Sequence, residues 1–127
     1  MQKLLLYDCK SLLSVDLSNF KTSKVTNMNG MFTGCHKLKT LNINHFDTSH
    51  VQSMISMFNS CKSLLSLDLS NFITSLVTKM TNMFSDCESL ISLDLYNFDF
   101  SSNPELTGFL DGCNNNLIYC MNNELFY

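Results

Sequence analysis

Two sets of residues in this chain have the types and the regular spacing that chemistry needs. The first is a cysteine series, Cys9, Cys35, Cys61, Cys87 and Cys113, which recurs every 26 residues and leaves only Cys120 off the period. Thiols so placed could pair as disulfides, hold a soft metal ion or act as nucleophiles. The second is a polar series on the same period: Ser14, Thr40, Ser66 and Ser92 form one column, and Asp16, Asn42, Asp68 and Asp94 the next. Ser18, Asn44, Ser70 and Tyr96 follow two residues later. Carboxylates in such a column could attract a cation or a basic partner. His36, His45 and His50 fall within one repeat and share no column with another histidine, so they make a poor metal set.

Layers of a stacked repeat lie roughly 4.8 Å apart, so successive thiols would face one another. That distance suits disulfide Cα atoms, but parallel Cβ vectors suit the required torsion poorly. Zinc ligands normally come in pairs about two to four residues apart, and no such pair exists here. The expectation is a row of buried, reduced thiols acting as small hydrophobes, ahead of a disulfide involving Cys113 or Cys120 or of a metal site. No nucleophile elbow, phosphate-cradling glycine loop or His-Glu zinc helix occurs, and there are only four Gly. The chain is therefore expected to be no enzyme and to carry no cofactor.

The elements that must position these columns follow from the same repeat. In each unit an L-x-x-L-x-L pattern occupies Leu12, Val15 and Leu17, then Leu38, Leu41 and Ile43, then Leu64, Leu67 and Leu69, then Leu90, Leu93 and Leu95. Its last positions alternate with polar ones, as in a short strand with one buried face. Phe20, Phe46, Phe72 and Phe98 follow at the bend and are expected to stack. Val25, Met28, Met31 and Phe32, with their counterparts Val51 to Phe58 and Val77 to Phe84, are spaced like one side of a helix. Ser23, Ser49 and Ser75 are candidate N-caps, and Ser49 with Gln52 fits a capping box. Met at this spacing reads as core packing rather than as a binding groove.

The expected fold class is α/β: a leucine-rich-repeat-like solenoid of about four 26-residue strand-plus-short-helix coils, with a parallel sheet on one face. It forms one domain over residues 1–127, made of a partial coil (1–8), repeats at 9–34, 35–60, 61–86 and 87–112, and a C-terminal partial coil (113–127). The fourth unit departs in its second half, where Leu106, Phe109 and Leu110 keep the apolar positions and Pro104 suits the first turn of a variant helix. Leu117, Tyr119 and Met121 read as a last, poorly matched strand.

A 45% hydrophobic content is ample for a core in 127 residues. The net charge is -3, all eight basic residues are Lys, and Arg and Trp are absent. This balance argues against a nucleic-acid partner, which wants a basic face and Arg forks. Leu4 to Leu6 is too short for a signal-peptide core, no stretch has the length of a membrane span, and no Asn-x-Ser/Thr acceptor occurs. No membrane insertion is expected. Residues 1–8 read as the tail of an earlier unit, so a piece of a longer precursor is a reasonable expectation.

The string CKSLLSLDLSNF followed by VTKMTNMFSDC closely resembles the repeats of the BspA-like leucine-rich repeat surface proteins, and the likeness runs over residues 5–102. The resemblance implies a right-handed strand-and-helix solenoid, a place at the cell surface or in secretion, and a role in adhesion and recognition. A cytoplasmic location is the alternative. Phe20, Phe46, Phe72 and Phe98 stand where that type usually has its ladder Asn or Cys, and Asn19, His45, Asn71 and Asn97 come one residue earlier.

Two functions are expected from this reading. The first is a recognition module that binds a protein or glycan through the exposed sheet face, with Ser14, Asp16, Thr40, Asn42, Ser66, Asp68, Ser92, Asp94 and Tyr96 as the contact residues. The second is a structural building block that forms homo-oligomers end to end, because Leu4 to Leu6 and Leu125 to Tyr127 leave its terminal coils apolar.

Overall fold

Ser66 and Leu67 pair with their equivalents one repeat later, and this pairing sets the frame of the molecule. The computed structural model describes residues 5–121 and contains one parallel sheet of three short strands: β1 (Ser66–Leu67), β2 (Ser92–Leu95) and β3 (Ile118–Met121), in the order β1-β2-β3. Register follows the 26-residue period, with Ser66 opposite Ser92, Leu93 opposite Tyr119 and Leu95 opposite Met121. Leu93 and Leu95 point inward while Ser92 and Asp94 point outward, the alternation of a strand with one buried face. The last strand expected around Leu117 to Met121 is present as β3. Residues 12–17 and 38–43 are not strands; Lys39 carbonyl merely accepts the Leu65 N–H at 3.3 Å.

The expected helices do not form. No helix occurs among the described residues, which overturns the α/β solenoid of strand-plus-helix coils. In place of each helix stand two consecutive four-residue turns. Met28 to Met31 closes through the Met31 N–H to Met28 carbonyl at 3.3 Å, and Phe32 to Cys35 through the Cys35 N–H to Phe32 carbonyl at 3.2 Å. The third residue of each turn has a positive φ: Gly30 at 64° and Gly34 at 76°. Ser56, Asn82 and Gly108 continue the first column, and Ser60, Asp86 and Gly112 the second, all with positive φ. This is the type II geometry that calls for Gly or Asn, and a left-handed residue every fourth position ends any α-helix.

The apolar spacing is nonetheless explained. Two four-residue turns in series bury their first and last members, here Met28, Met31, Phe32 and Cys35, and that is the i, i+3, i+4, i+7 pattern of a helix face. The amides alternate in use. Met31, Thr33 and Cys35 donate within the turns, while Met28, Gly30, Phe32 and Gly34 donate to the carbonyls of Ser53, Ile55, Met57 and Asn59 in the next layer, each at 2.9 Å. The scheme repeats from Met54 to Ser60 and from Met80 to Asp86. Parallel bridges run in line through Asn27, Ser53, Lys79 and Glu105. The proposed capping box fails too: Gln52 N–H donates to Thr26 carbonyl, and Ser49 binds Asp47 rather than a helix end. The variant helix of the fourth unit is likewise a turn, closed by Phe109 N–H on Leu106 carbonyl at 3.0 Å.

Between the sheet and this turn wall lies one apolar core of Leu, Ile, Val, Met, Phe and Cys. Burying each such side chain contributes roughly 1.5–3 kcal/mol, and no single layer could do so alone. Two aromatic ladders run through the layers. Phe32, Phe58 and Phe84 stack at 5.6 and 5.5 Å between ring centroids, and Phe72 stacks on Phe98 at 6.5 Å. Of the ladder expected at the bend from Phe20, Phe46, Phe72 and Phe98, only the Phe72–Phe98 pair is stacked among the described residues, and Phe46 instead meets His45 edge-on.

Candidate functional site

The outward columns of the sheet side are built from the backbone upward. After each strand position the chain turns sharply, with Phe20, Phe46, Phe72 and Phe98 N–H groups closing onto Leu17, Ile43, Leu69 and Leu95 carbonyls. An Asp or Asn enters each turn and fixes it. Asp16 Oδ1 accepts the Ser18 N–H at 2.9 Å, Asn42 Oδ1 the Asn44 N–H at 3.2 Å, Asp68 Oδ1 the Ser70 N–H at 3.0 Å and Asp94 Oδ1 the Tyr96 N–H at 2.9 Å. These are Asx turns, and they hold four side chains of the column in one orientation.

The structure places every residue of the expected contact set on the surface. Ser14, Asp16, Thr40 and Asn42 lie on irregular backbone, Ser66 in β1, Ser92 and Asp94 in β2, and Asp68 and Tyr96 just beyond those strands; all are exposed. Ser66 and Ser92 are direct register partners, so the columns come together at β1 and β2. Beyond β2 the columns change character, because Ile118 stands opposite Ser92 and Cys120 opposite Asp94. Hydrogen bonds from Ser18, side chain first and backbone second, hold Asp16 below the usual carboxylate range, and Ser70 does the same for Asp68. Neither carboxylate has an ion pair among the described residues, where the pairs are Lys10 with Asp8 and Lys62 with Glu88.

An outer polar ladder flanks these columns. Asn71 Nδ2 donates to Asn44 carbonyl at 2.9 Å and Asn97 Nδ2 to Ser70 carbonyl at 3.1 Å, while His45 Nε2 lies 2.9 Å from Leu17 carbonyl. His45 thus stands in for an Asn of the column. Val15, Asp16, Leu17, Ser18, Asn42 and His45 line a hollow of about 80 Å³ between the first two layers. Small-molecule pockets are typically several times larger, about 300–1,000 Å³, so this hollow suits a side chain or a small polar group.

Some arrangements escaped the sequence reading. Thr22, Thr48 and Thr74 are buried, and each hydroxyl clips the next layer twice. Thr48 Oγ1 donates to Ile73 carbonyl at 3.0 Å and accepts the Ile73 N–H at 2.8 Å, with Thr22 serving Asp47 and Thr74 serving Asp99 alike. Their 26-residue recurrence beside the serines was the available signal. Leu65 and Ile91 are a second omission: they are exposed at the entry to β1 and β2 and add an apolar rail beside the polar columns.

The thiols point the other way. Cys35, Cys61 and Cys87 are buried, and their thiols donate to Leu6, Phe32 and Phe58 carbonyls at 3.2 Å; Cys113 donates to Phe84 carbonyl at 3.0 Å. Burial pushes Cys35 up to about 11 and Cys61 up to about 12, and raises Cys87 and Cys113 as well. A protonated, buried thiol is a poor nucleophile and a poor metal ligand. Among the described residues no cluster of three His, Cys, Asp or Glu side chains is placed to hold a metal ion, and no helix is long and apolar enough to cross a membrane.

Residues 1–118 match the family model described as "Mycoplasma protein of unknown function, DUF285". Neither the curated proteins nor the solved structures searched contain a match to the chain.

Proposed function

The chain belongs to the DUF285 family, and from that premise we propose that it is a non-catalytic interaction module that meets a protein or glycan through the outward face of its sheet side. The family description assigns no activity, so the reading rests on this chain's own surface. The observation that carries it is the row Asp16, Asn42, Asp68 and Asp94, in which one side-chain oxygen is spent on an Asx turn and the rest of the group faces solvent. Side chains fixed before contact lose little further freedom on binding, which is the general advantage of preorganisation.

Tyr96 supplies a large, amphipathic contact at the edge of this row, and Leu65 and Ile91 supply apolar area beside it. The resemblance to BspA-like repeats supports a setting at the cell surface or in secretion, with adhesion or recognition as the task. Nucleic acid is disfavoured as a partner by the net charge of -3 and the lack of Arg.

The test is a screen of the folded chain against protein and glycan probes, followed by two variants measured on each hit. Asp68→Asn with Asp94→Asn keeps both turn-making oxygens but removes two charges, and Tyr96→Ala removes the aromatic contact. Weakening of about 10-fold or more in at least one variant, with an unchanged unfolding midpoint, supports this face as the contact surface. Affinity untouched by both variants on every hit sinks it.

A further inference from the structure

Leu65 and Ile91 stand on consecutive layers at the entry to the sheet, where Ile91 N–H donates to the Leu65 carbonyl at 2.9 Å, and they are 46% and 52% exposed. Three residues further along the same two segments come Asp68 and Asp94, each with one oxygen held by a backbone N–H and neither ion-paired among the described residues. The face thus carries two parallel rows, one apolar and one anionic, both running along the stack. Their pairing is confined to these two layers. One layer earlier Lys39, whose carbonyl takes the Leu65 N–H, replaces the apolar residue, and Asn42 replaces the acid. One layer later Cys120 stands opposite Asp94.

The spacing of the rows selects the shape of what can cover both. Residues of a strand advance about 3.3 Å each, so the two rows lie roughly 10 Å apart, while the step within a row is one layer, roughly 4.8 Å. An added strand occupies only about 4.8 Å of width and covers a single row. An α-helix laid along the stack is about 10–12 Å across with its side chains and rises about 5.4 Å per turn, so it reaches both rows with its turns nearly in step with the layers. Residues i and i+4 of such a helix are neighbours on one side. Two lysines at that spacing meet Asp68 and Asp94, and the apolar side of the same turns meets Leu65 and Ile91.

Resting on the reading of this face as the contact surface, we propose that its occupant is a protein segment, an amphipathic helix with a basic flank, lying along the stack over Leu65, Asp68, Ile91 and Asp94. Charge complementarity sets both the partner and its place. Lys39 repels the basic flank, and Asn42 and Cys120 offer it no counter-charge, so a slip by one layer in either direction loses contacts. A uniform repeat face could not fix the register in this way, since every layer would serve alike. Tyr96, 60% exposed just beyond Asp94, gives the cations of the flank an aromatic neighbour.

The probe is a short synthetic helical peptide with a Leu stripe flanked by Lys at i and i+4, titrated with the folded chain and read by fluorescence anisotropy, beside a scrambled peptide of identical composition. The expected result is binding that weakens as salt is raised and is about 10-fold or more weaker for the scrambled peptide. Asp68→Asn with Asp94→Asn, and separately Leu65→Ser with Ile91→Ser, should each weaken it about 10-fold with an unchanged unfolding midpoint. Asp86→Asn with Asp111→Asn removes the same charge from exposed positions of the turn wall and should leave the affinity as it was. No binding, equal binding of the scrambled peptide, indifference to either sheet-face variant, or an equal loss in the turn-wall variant overturns the proposal. A glycan that needs Asp68 and Asp94 while the helical peptide does not bind also overturns it, yet leaves this face standing as the contact surface.

Discussion

At the scale of single residues, the thiols show how position settles chemistry. A cysteine series at perfect spacing invites metal or disulfide readings, yet Cys35, Cys61 and Cys87 are buried donors to backbone carbonyls of the preceding layer. Their raised pKa values link them to stability with a definite sign. The protonated form is the one the folded state favours, so the contribution is complete below the ordinary value near 9.0 and is lost as pH rises through the folded values, about 11 for Cys35 and about 12 for Cys61. A urea midpoint that is level from neutrality to about pH 9 and falls steadily above it is the expected profile. Cys61→Ala should lower the midpoint at neutral pH and flatten the alkaline fall; an alkaline slope identical to wild type would show that the thiols play no part in it. The carboxylates work in the opposite sense: Asp16 and Asp68 lie below their ordinary value of 3.8, and their contribution is lost only as pH falls through that lower range.

At the scale of the element, the turn wall explains both what was legible in the sequence and what was not. The repeat length, the inward residues, the outward columns and the last strand could all be read, because burial repeats every 26 residues whatever the backbone does between. The helix could not be told from two linked turns by apolar spacing, since both bury positions such as Met28, Met31, Phe32 and Cys35. The discriminating signal was the residue type at the left-handed positions: Gly30, Ser56, Asn82 and Gly108 in one column, Gly34, Ser60, Asp86 and Gly112 in the other. The contact set was placed on the surface as read, but its Asp and Asn members carry a turn-fixing duty that spacing alone did not announce. The turn geometry has a measurable cost. At Gly30 a Cβ would meet only Thr33 Oγ1 at 3.5 Å and Tyr7 Cδ2 at 3.7 Å, so Gly30→Ala should cost about 1–2 kcal/mol through its backbone conformation alone. Ser56→Gly, which relieves the same conformation at φ 54°, should stabilise by a smaller amount, about 0.5 kcal/mol, in urea unfolding. Destabilisation by Ser56→Gly would argue for a helix-like conformation at this position.

At the scale of the whole molecule, every layer is held by the layers on either side of it. Phe58 stacks between Phe32 and Phe84, whereas the ring of Phe20 has no stacked counterpart among the described residues and is exposed. Stability should therefore be graded along the stack and greatest at its middle. Hydrogen exchange should find the Met54, Phe58 and Met80 amides slowest and the Leu6 and Asp8 amides among the fastest of the interlayer bonds. Equal protection from one end to the other would instead mean that the molecule opens only as a single cooperative unit.

From Met28 to Gly34 and at the equivalent positions of the next two layers, the interlayer N–H bonds point one way, while the Gln52, Thr78 and Glu105 N–H groups just before the turns point the other. Each peptide group in those columns carries a dipole of about 3.5 D, and groups aligned in series add as they do along an α-helix. In the strands the dipoles alternate and nearly cancel, so the wall sets the field. The bonds of the Met28 to Gly34 type turn their positive ends toward the later layers and their negative ends toward the earlier ones. In a chain with only 15% charged side chains, the shared direction of those bonds gives the turn wall an axis that a neighbouring charge can sense.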